Sequence, residues 1–296
     1  MTSFLTQLAQ PARLILDGAT GTELHRRGID TGLPLWSANA LLTAEGRRAL
    51  RQIHLDYLRA GADILTANTF RTHGRTLAKS SHGGQARELT ARAVRLAREA
   101  IAEHASPAPL FVAGSIAPLE DCYTPALVPP QAECQTEHRQ MAEHLAEAGA
   151  DLLLVETMNT IREAVAAAEA ATTTGLPTLV SFVCSADGRL LSGETIAEAA
   201  RAVAPLHPAA IGVNCAPAHT LAAPLGELRA AAPHHVPLIA YGNIGYADDA
   251  QGWVNTDAVD PVAYASYATA WPVHILGGCC GTTPEHIRHL RTRIAR

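Results

Sequence analysis

The sequence is poor in aromatic residues, in long apolar runs and in basic charge. Aromatic residues make up 4% of its 296 residues, so the core has to be built from Leu, Ile, Val and Ala. No stretch reaches the roughly 18 apolar residues of a membrane-spanning helix, and residues 1–13 show no signal-peptide pattern. The 23 basic residues are outnumbered by 28 acidic ones, which excludes the basic footprint of a nucleic-acid-binding protein. We therefore expect a globular, cytoplasmic protein that binds neither membranes nor nucleic acids.

Cysteine is present in six copies, but no Cys-x-x-Cys pair occurs. Cytoplasmic thiols stay reduced, so six cysteines indicate metal binding, catalysis or packing rather than disulfides. Free cysteine packs well as a small hydrophobe, and we interpret Cys122, Cys134 and Cys184 in this way.

Eight short apolar runs recur along the chain and predict eight buried parallel strands, because they are nearly continuous rather than alternating. They cover residues 14–19, 63–70, 110–116, 151–157, 178–184, 210–215, 237–243 and 273–278. Helix-like segments lie between them, at residues 47–60, 85–104, 135–148, 161–172, 195–204 and 221–231. Residues 121–130 and 246–260 are predicted to be long loops after strands. This alternation predicts a (β/α)₈ TIM barrel in which residues 1–296 form one domain.

The alternative fold is a doubly wound open sheet, which usually has a glycine-rich phosphate turn after its first strand. Residues 17–22 read Asp-Gly-Ala-Thr-Gly-Thr, which is not the G-x-G-x-x-G pattern. The segment also begins with an acid that would repel a pyrophosphate. We therefore favour the barrel.

Functional side chains of a barrel lie at the carboxyl ends of its strands. There the sequence places Asp17, Asn68, Glu156, Asn214 and, in addition, three cysteines: Cys215, Cys279 and Cys280. The glycines at 277, 278 and 281 give the chain the backbone freedom to turn both adjacent cysteines towards one point. Three thiolates leave one position of a tetrahedral ion open, as in a catalytic site, and thiolate ligands favour zinc.

These motifs together resemble the homocysteine S-methyltransferase family. The matching segments are residues 17–24 (DGATGTEL), 66–70 (TANTF), 155–157 (VET), 212–215 (GVNC) and 277–281 (GGCCG), in family order. The family is a zinc-containing barrel that methylates the sulfur of homocysteine to give methionine. The resemblance implies that Cys215, Cys279 and Cys280 hold the zinc. It also implies that Asp17 and Glu156 hold the substrate ammonium group and that the backbone at Gly18 and Ala19 meets its carboxylate. We also assign Asn68 and Asn214 to substrate binding.

The methyl donor is less constrained by the sequence. A cationic methyl group favours aromatic faces, which makes Trp36 and Phe70 candidates for the donor side. Chain length favours relatives that use S-methylmethionine or S-adenosylmethionine, since no betaine-type extension and no corrinoid domain follows Gly281. However, residues 117–121 read Ala-Pro-Leu-Glu-Asp where many of those relatives have Gly-Pro-Tyr-Gly. Betaine and a docking methylcorrinoid protein therefore stay open as donors.

Two other functions are compatible with the same residues. The acceptor could be another thiol or a selenol such as selenocysteine, and the barrel could bind zinc without catalysis. We expect a monomer or a weak dimer, because no assembly extension is visible.

Overall fold

The computed structural model describes residues 3–185, 187–248 and 251–295. In this part of the chain, eight parallel strands form one sheet in the order β1-β10-β7-β6-β5-β4-β3-β2. The strands are β1 (Leu14–Ile15), β2 (Ile64–Ala67), β3 (Phe111–Ile116), β4 (Leu152–Met158), β5 (Thr178–Phe182), β6 (Ala210–Pro217), β7 (Leu238–Asn243) and β10 (Ile275–Gly278). A parallel bridge between Leu16 and Ile64 joins the two edges and closes the ring. The predicted (β/α)₈ barrel is confirmed.

Apart from the first helix, which precedes β1, the helices come after strands and cover the outside of the barrel. They are α1 (Phe4–Leu8), α2 (Thr20–Arg26), α3 (Ala44–Ala60), α4 (Gly74–Ala78), α5 (Ala86–His104), α6 (Gln131–Glu147), α7 (Ile161–Thr172), α8 (Ile196–Val203), α9 (Ala222–Ala231), α10 (Pro261–Ala270) and α11 (Pro284–Ile294). Helix α3 ends at Gly61, whose φ of 104° is in the left-handed region that glycine adopts most readily. No helix among the described residues is long and apolar enough to span a membrane.

Residue alternation along each strand separates two apolar layers. On β4, Leu152 and Leu154 belong to the cluster inside the barrel, whereas Leu153 and Val155 pack against the helices. Phe4 of α1 joins the inner cluster, where its ring contacts Phe111 edge-on at 5.5 Å between centroids. Because side chains alternate with period two, the next inward residue of β4 after Leu154 is Glu156. The inner apolar layer thus gives way to polar side chains at the carboxyl ends of the strands.

The segment at residues 246–260 differs from the predicted loop. It contains an antiparallel hairpin of β8 (Gly245–Asp248) and β9 (Gly252–Asn255), followed by a short 3₁₀ helix at Asp257–Val259. Tyr246 pairs with Val254, and Ala247 pairs with Trp253. Pairing of backbone groups within the segment satisfies them locally, which a pattern of buried apolar runs does not reveal. The segment at 121–130 is a loop, as predicted, with one 3₁₀ turn at Pro125–Leu127.

Candidate active site and metal centre

Three thiols converge at the carboxyl end of the barrel. The Sγ atoms of Cys215, Cys279 and Cys280 all lie within 4.8 Å of one another, and those of Cys215 and Cys280 are 3.7 Å apart. A tetrahedral ion with Zn–S bonds of about 2.3 Å would hold its sulfur ligands roughly 3.8 Å apart. The donor set and its spacing therefore fit a thiolate-bound metal ion.

Local backbone geometry turns the three cysteines towards one point. Cys215 has a φ of 58°, and the pairing of β6 with β7 shifts register directly after Asn214. Strand β10 ends at Gly278, just before the adjacent pair of cysteines, and Gly281 then takes a φ of 83°. Backbone strain and strand irregularities of this kind concentrate at functional sites.

The expected role of glycine here is correct only for Gly281. Gly277 and Gly278 lie in regular strand and have no left-handed conformation. They are required instead for close packing, because a Cβ on Gly277 would come within 2.7 Å of Leu16 and one on Gly278 within 2.4 Å of Thr282.

Asn243, at the end of β7, links the two segments that carry the thiols. Its Nδ2 donates to the carbonyl of Cys215 at 2.9 Å, and its Oδ1 accepts from the backbone N–H of Cys280 at 2.9 Å. The side chain is 2% exposed. Asn243 is the last residue of the predicted strand 237–243, but the sequence alone gives it no role, because that role depends on two distant segments meeting.

The close contacts among the three thiols shift their pKa values in opposite directions. Hydrogen bonds from Cys279 and Cys280 hold the pKa of Cys215 well below its usual range, while the same contacts hold the pKa of Cys279 and that of Cys280 well above it. These contacts favour the thiolate form of Cys215. A divalent cation would favour the thiolate form of all three cysteines, which again fits a metal site.

Two buried carboxyl groups lie in the same cavity as the thiols. Asp17 accepts two hydrogen bonds from Thr66, one from its N–H and one from its hydroxyl, both at 2.8 Å. Burial raises the pKa of Asp17 to about 8, against the effect of these two bonds. Glu156 accepts from Ser115 and, at 3.0 Å, from Tyr241, and burial raises its pKa to about 7. An added cation would stabilise both groups in their charged form.

The turn after β1 brings backbone to the same cavity. Gly18 and Ala19 both line it. The N–H of Ala19 donates to Thr282 Oγ1 at 3.1 Å, and the carbonyl of Ala19 accepts from Tyr57 Oη at 2.9 Å. A Cβ on Gly18 would come within 2.8 Å of Tyr57 and Thr282, so only glycine fits at this position.

Trp36 and Phe70 form an aromatic corner on the cavity wall. Their rings meet edge-on with centroids 5.8 Å apart, and both line the cavity. Trp36 has a φ of 47°, and its indole packs so closely on Gly21 that a Cβ there would lie 2.3 Å from it. The two predicted donor-side residues are thus brought together.

The two asparagines predicted to bind substrate are placed differently from each other. Asn68 lines the cavity and donates through Nδ2 to the carbonyl of Ser37 at 2.8 Å. Asn214 is fully buried and is not among the cavity-lining residues. Its carboxamide accepts from Thr157 N–H at 3.0 Å and from Ser181 at 2.7 Å, and donates to the Thr157 hydroxyl at 2.8 Å. Asn214 therefore fixes the turn after Glu156 instead of facing a ligand.

The loop after β3 supplies cavity residues that the sequence analysis did not assign. Cys122 is buried and also lines the cavity, whereas Cys134 and Cys184 lie in apolar clusters as expected. Tyr123 also lines it, and its Oη lies 3.0 Å from Cys215 Sγ. Arg71, next to Phe70, also lines the cavity. No strand-end rule identifies such residues, because the folded loop alone brings them to the barrel mouth.

Together, the fold and the site define an enzyme-like barrel whose mouth can hold a metal ion on three thiolates beside two buried acids. The chain belongs to the homocysteine S-methyltransferase family, which it matches over residues 14–294, and it is a methyltransferase. It is 33% identical to a homocysteine S-methyltransferase of Escherichia coli K12 over 305 residues, covering 95% of this chain and 94% of the relative.

Two further comparisons agree. A selenocysteine Se-methyltransferase of Brassica oleracea var. italica is 32% identical over 317 residues, covering 95% of this chain and 88% of the relative. The metallated form of the homocysteine methyltransferase MmuM from Escherichia coli superposes with a TM-score of 0.82 at 30% identity, covering 97% of this chain and 98% of that structure.

Proposed function

We propose that this chain is a zinc-dependent S-methyltransferase that converts homocysteine to methionine with a sulfonium donor, S-methylmethionine or S-adenosylmethionine. Residues 1–296 would act as one homocysteine-binding domain. The observation that carries the proposal is that three convergent thiols, two buried acids and an aromatic corner share one cavity of about 240 Å³. A family match over residues 14–294 supports homocysteine as the acceptor.

Cys215, Cys279 and Cys280 would hold the zinc, with one coordination position left for the substrate sulfur. Bound zinc supplies the charge that deprotonates a thiol placed in that position and orients its sulfur. Asn243 fixes the relative position of the thiol-bearing segments through its two backbone hydrogen bonds. Supporting contacts of this kind hold metal ligands in place.

Asp17 and Glu156 would bind the ammonium group of homocysteine. Both lie in the cavity, and burial raises the pKa of each, so a cationic partner compensates the cost of their charge. The substrate carboxylate would meet the backbone at Gly18 and Ala19. Thr282 already accepts from the Ala19 N–H, so we assign the main contact to Gly18. Asn68 would border the same substrate.

The methyl transfer is an in-line displacement. The homocysteine thiolate forms a new S–C bond to the methyl carbon, while the bond from that carbon to the sulfonium sulfur breaks and its electron pair stays on the leaving sulfur. The thiol proton leaves to solvent before the attack, since the thiolate is the nucleophile. Trp36 and Phe70 would present ring faces to the cationic methyl group.

The test is a methionine-formation assay with homocysteine and each candidate donor, run with zinc analysis of the same samples. We expect close to one zinc per chain and methionine formation with a sulfonium donor. Cys280→Ala should lose both zinc and activity. Cys184→Ala, which removes a buried thiol from the apolar core, is the matched control and should keep both. Unchanged zinc content in Cys280→Ala would rule out the assignment.

Selenocysteine is the second candidate acceptor. The likeness to a selenocysteine Se-methyltransferase favours it, and a selenol would fit the same position as a thiol. Comparing kcat/KM for homocysteine and selenocysteine with one donor separates the two acceptors. A higher value for selenocysteine would make it the preferred substrate.

A further inference from the structure

Arg71 is a half-buried cation on the cavity wall without an ionic partner among the described residues. Its guanidinium carbon lies 5.4 Å from the centroid of the Phe70 ring, and Nη1 donates to the carbonyl of Glu120 at 3.1 Å. Its Nε is buried and finds no acceptor in the part of the chain that the structure describes. Arg75, four residues further along the chain, instead pairs with three glutamates. Arg71 therefore keeps hydrogen-bonding capacity inside the cavity.

A guanidinium group in such a position suits a carboxylate, which it binds with paired, charge-assisted hydrogen bonds. A bare sulfonium close to Arg71 would be repelled, since like charges in a partly buried site are weakly screened. A donor that carries its own carboxylate removes this conflict, because the carboxylate pairs with the guanidinium and offsets its charge.

We infer that Arg71 binds the α-carboxylate of the methyl donor, and that the donor is therefore an amino-acid sulfonium. This inference rests on the proposed function and specifies its donor. In S-methylmethionine and S-adenosylmethionine, four bonds of about 1.5 Å put the sulfur roughly 5 Å from the carboxyl carbon. The carboxylate can therefore pair with Arg71 while the sulfonium stays away from the guanidinium charge.

The other donors suit this arrangement less well. In betaine only two bonds separate the cationic nitrogen from the carboxyl carbon, a span of roughly 2.5 Å that would hold its positive charge close to the Arg71 guanidinium. A methylcorrinoid presents no α-carboxylate beside its methyl group and would leave Arg71 unpaired.

The experiment compares two donors that differ only in the carboxylate: S-methyl-L-methionine and (3-aminopropyl)dimethylsulfonium. Both are titrated against zinc-loaded enzyme and assayed with homocysteine, and S-adenosylmethionine is added as a third arm. The variants are Arg71→Gln, Arg71→Lys and Arg162→Gln. Arg162 is the matched control, because it holds the same loop by donating to the carbonyl of Val128 at 3.0 Å but does not line the cavity.

In Arg71→Gln we expect the Kd and KM for S-methyl-L-methionine to rise about 10- to 100-fold, as for loss of a charged hydrogen bond. The values for the analogue without the carboxylate should change less than about twofold, and Arg71→Lys should recover part of the loss. Arg162→Gln should behave as wild type. A loss for S-adenosylmethionine as well would show that both sulfonium donors use Arg71.

If Arg71→Gln weakens the binding of S-methyl-L-methionine and of its analogue equally, Arg71 only supports the loop through Glu120. If it weakens the binding of neither, Arg71 contacts no donor. Either result overturns the inference. A wild-type enzyme that forms no methionine with any donor overturns the proposed function instead, while the binding titrations still report on Arg71.

Discussion

Glu156→Gln tests whether the buried acid is kept at a cost in stability. Burial raises the pKa of Glu156 from 4.5 to about 7, and the side chain is 7% exposed. A raised carboxyl pKa means that the native state holds the proton more tightly than the unfolded chain does. The stabilising contribution of protonated Glu156 is therefore complete below about pH 4.5 and is lost as the pH rises to about 7. The shift in pKa corresponds to about 3 kcal/mol of stability that the wild type loses as the pH rises. Glutamine does not titrate, so the variant should not show this loss.

The assay is urea unfolding of the wild type and Glu156→Gln at pH 5, 6, 7 and 8, with a chelator present so that no bound cation shifts the pKa of Glu156. The wild type should lose stability across this range and the variant should not, so the free energy of unfolding of the variant minus that of the wild type should rise by most of those 3 kcal/mol. The variant should stay folded, because Ser115 and Tyr241 can turn their hydroxyls to suit the amide. The control is Glu169→Gln on the exposed face of α7, whose free energy of unfolding should depend on pH as that of the wild type does. If Glu156→Gln and the wild type show the same pH dependence, the reasoning is refuted.

Three further predictions concern binding. The Kd for homocysteine should rise as the pH falls from about 8 to 6, because Asp17 and Glu156 take up protons with a pKa of about 8 and about 7. Calorimetry should find that this Kd depends less steeply on pH in Asp17→Asn. Asn243→Ala should weaken zinc binding about 10- to 100-fold in a chelator competition, whereas Asn255→Ala in the hairpin should not. Trp36→Leu should lower kcat/KM for the donor by up to about 30-fold in the methionine assay, with the Kd for homocysteine unchanged, if its indole faces the sulfonium; an equal loss for both substrates would contradict this.

The barrel and the convergence of the three thiols were largely predictable from the sequence. Continuous apolar runs specify buried parallel strands, and the strand-end rule then places polar residues at one rim. Cys215, Cys279 and Cys280 were predicted to share one ion, and their Sγ atoms lie within 4.8 Å of one another. The alternation of side chains along a strand and the position where a strand ends both depend on nearby residues, so both can be inferred from the sequence.

The residues that were missed depend on contacts between distant segments. The bonds of Asn243 to Cys215 and Cys280 join residues far apart in the chain, and Arg71 reaches the cavity beside a loop that follows another strand. Asn214 was predicted to bind substrate because it lies at a strand end. Its side chain instead bonds to Thr157 and Ser181 and does not line the cavity. A strand-end rule locates a residue at the rim and does not decide which way its side chain points.

X-ray absorption at the zinc edge, with and without homocysteine, tests the central claim most directly. The claim is that three cysteines hold one zinc ion and leave one position for the substrate sulfur. The account predicts three sulfur ligands in the resting enzyme and four, at about 2.3 Å, once homocysteine is bound. A spectrum that homocysteine leaves unchanged would contradict it.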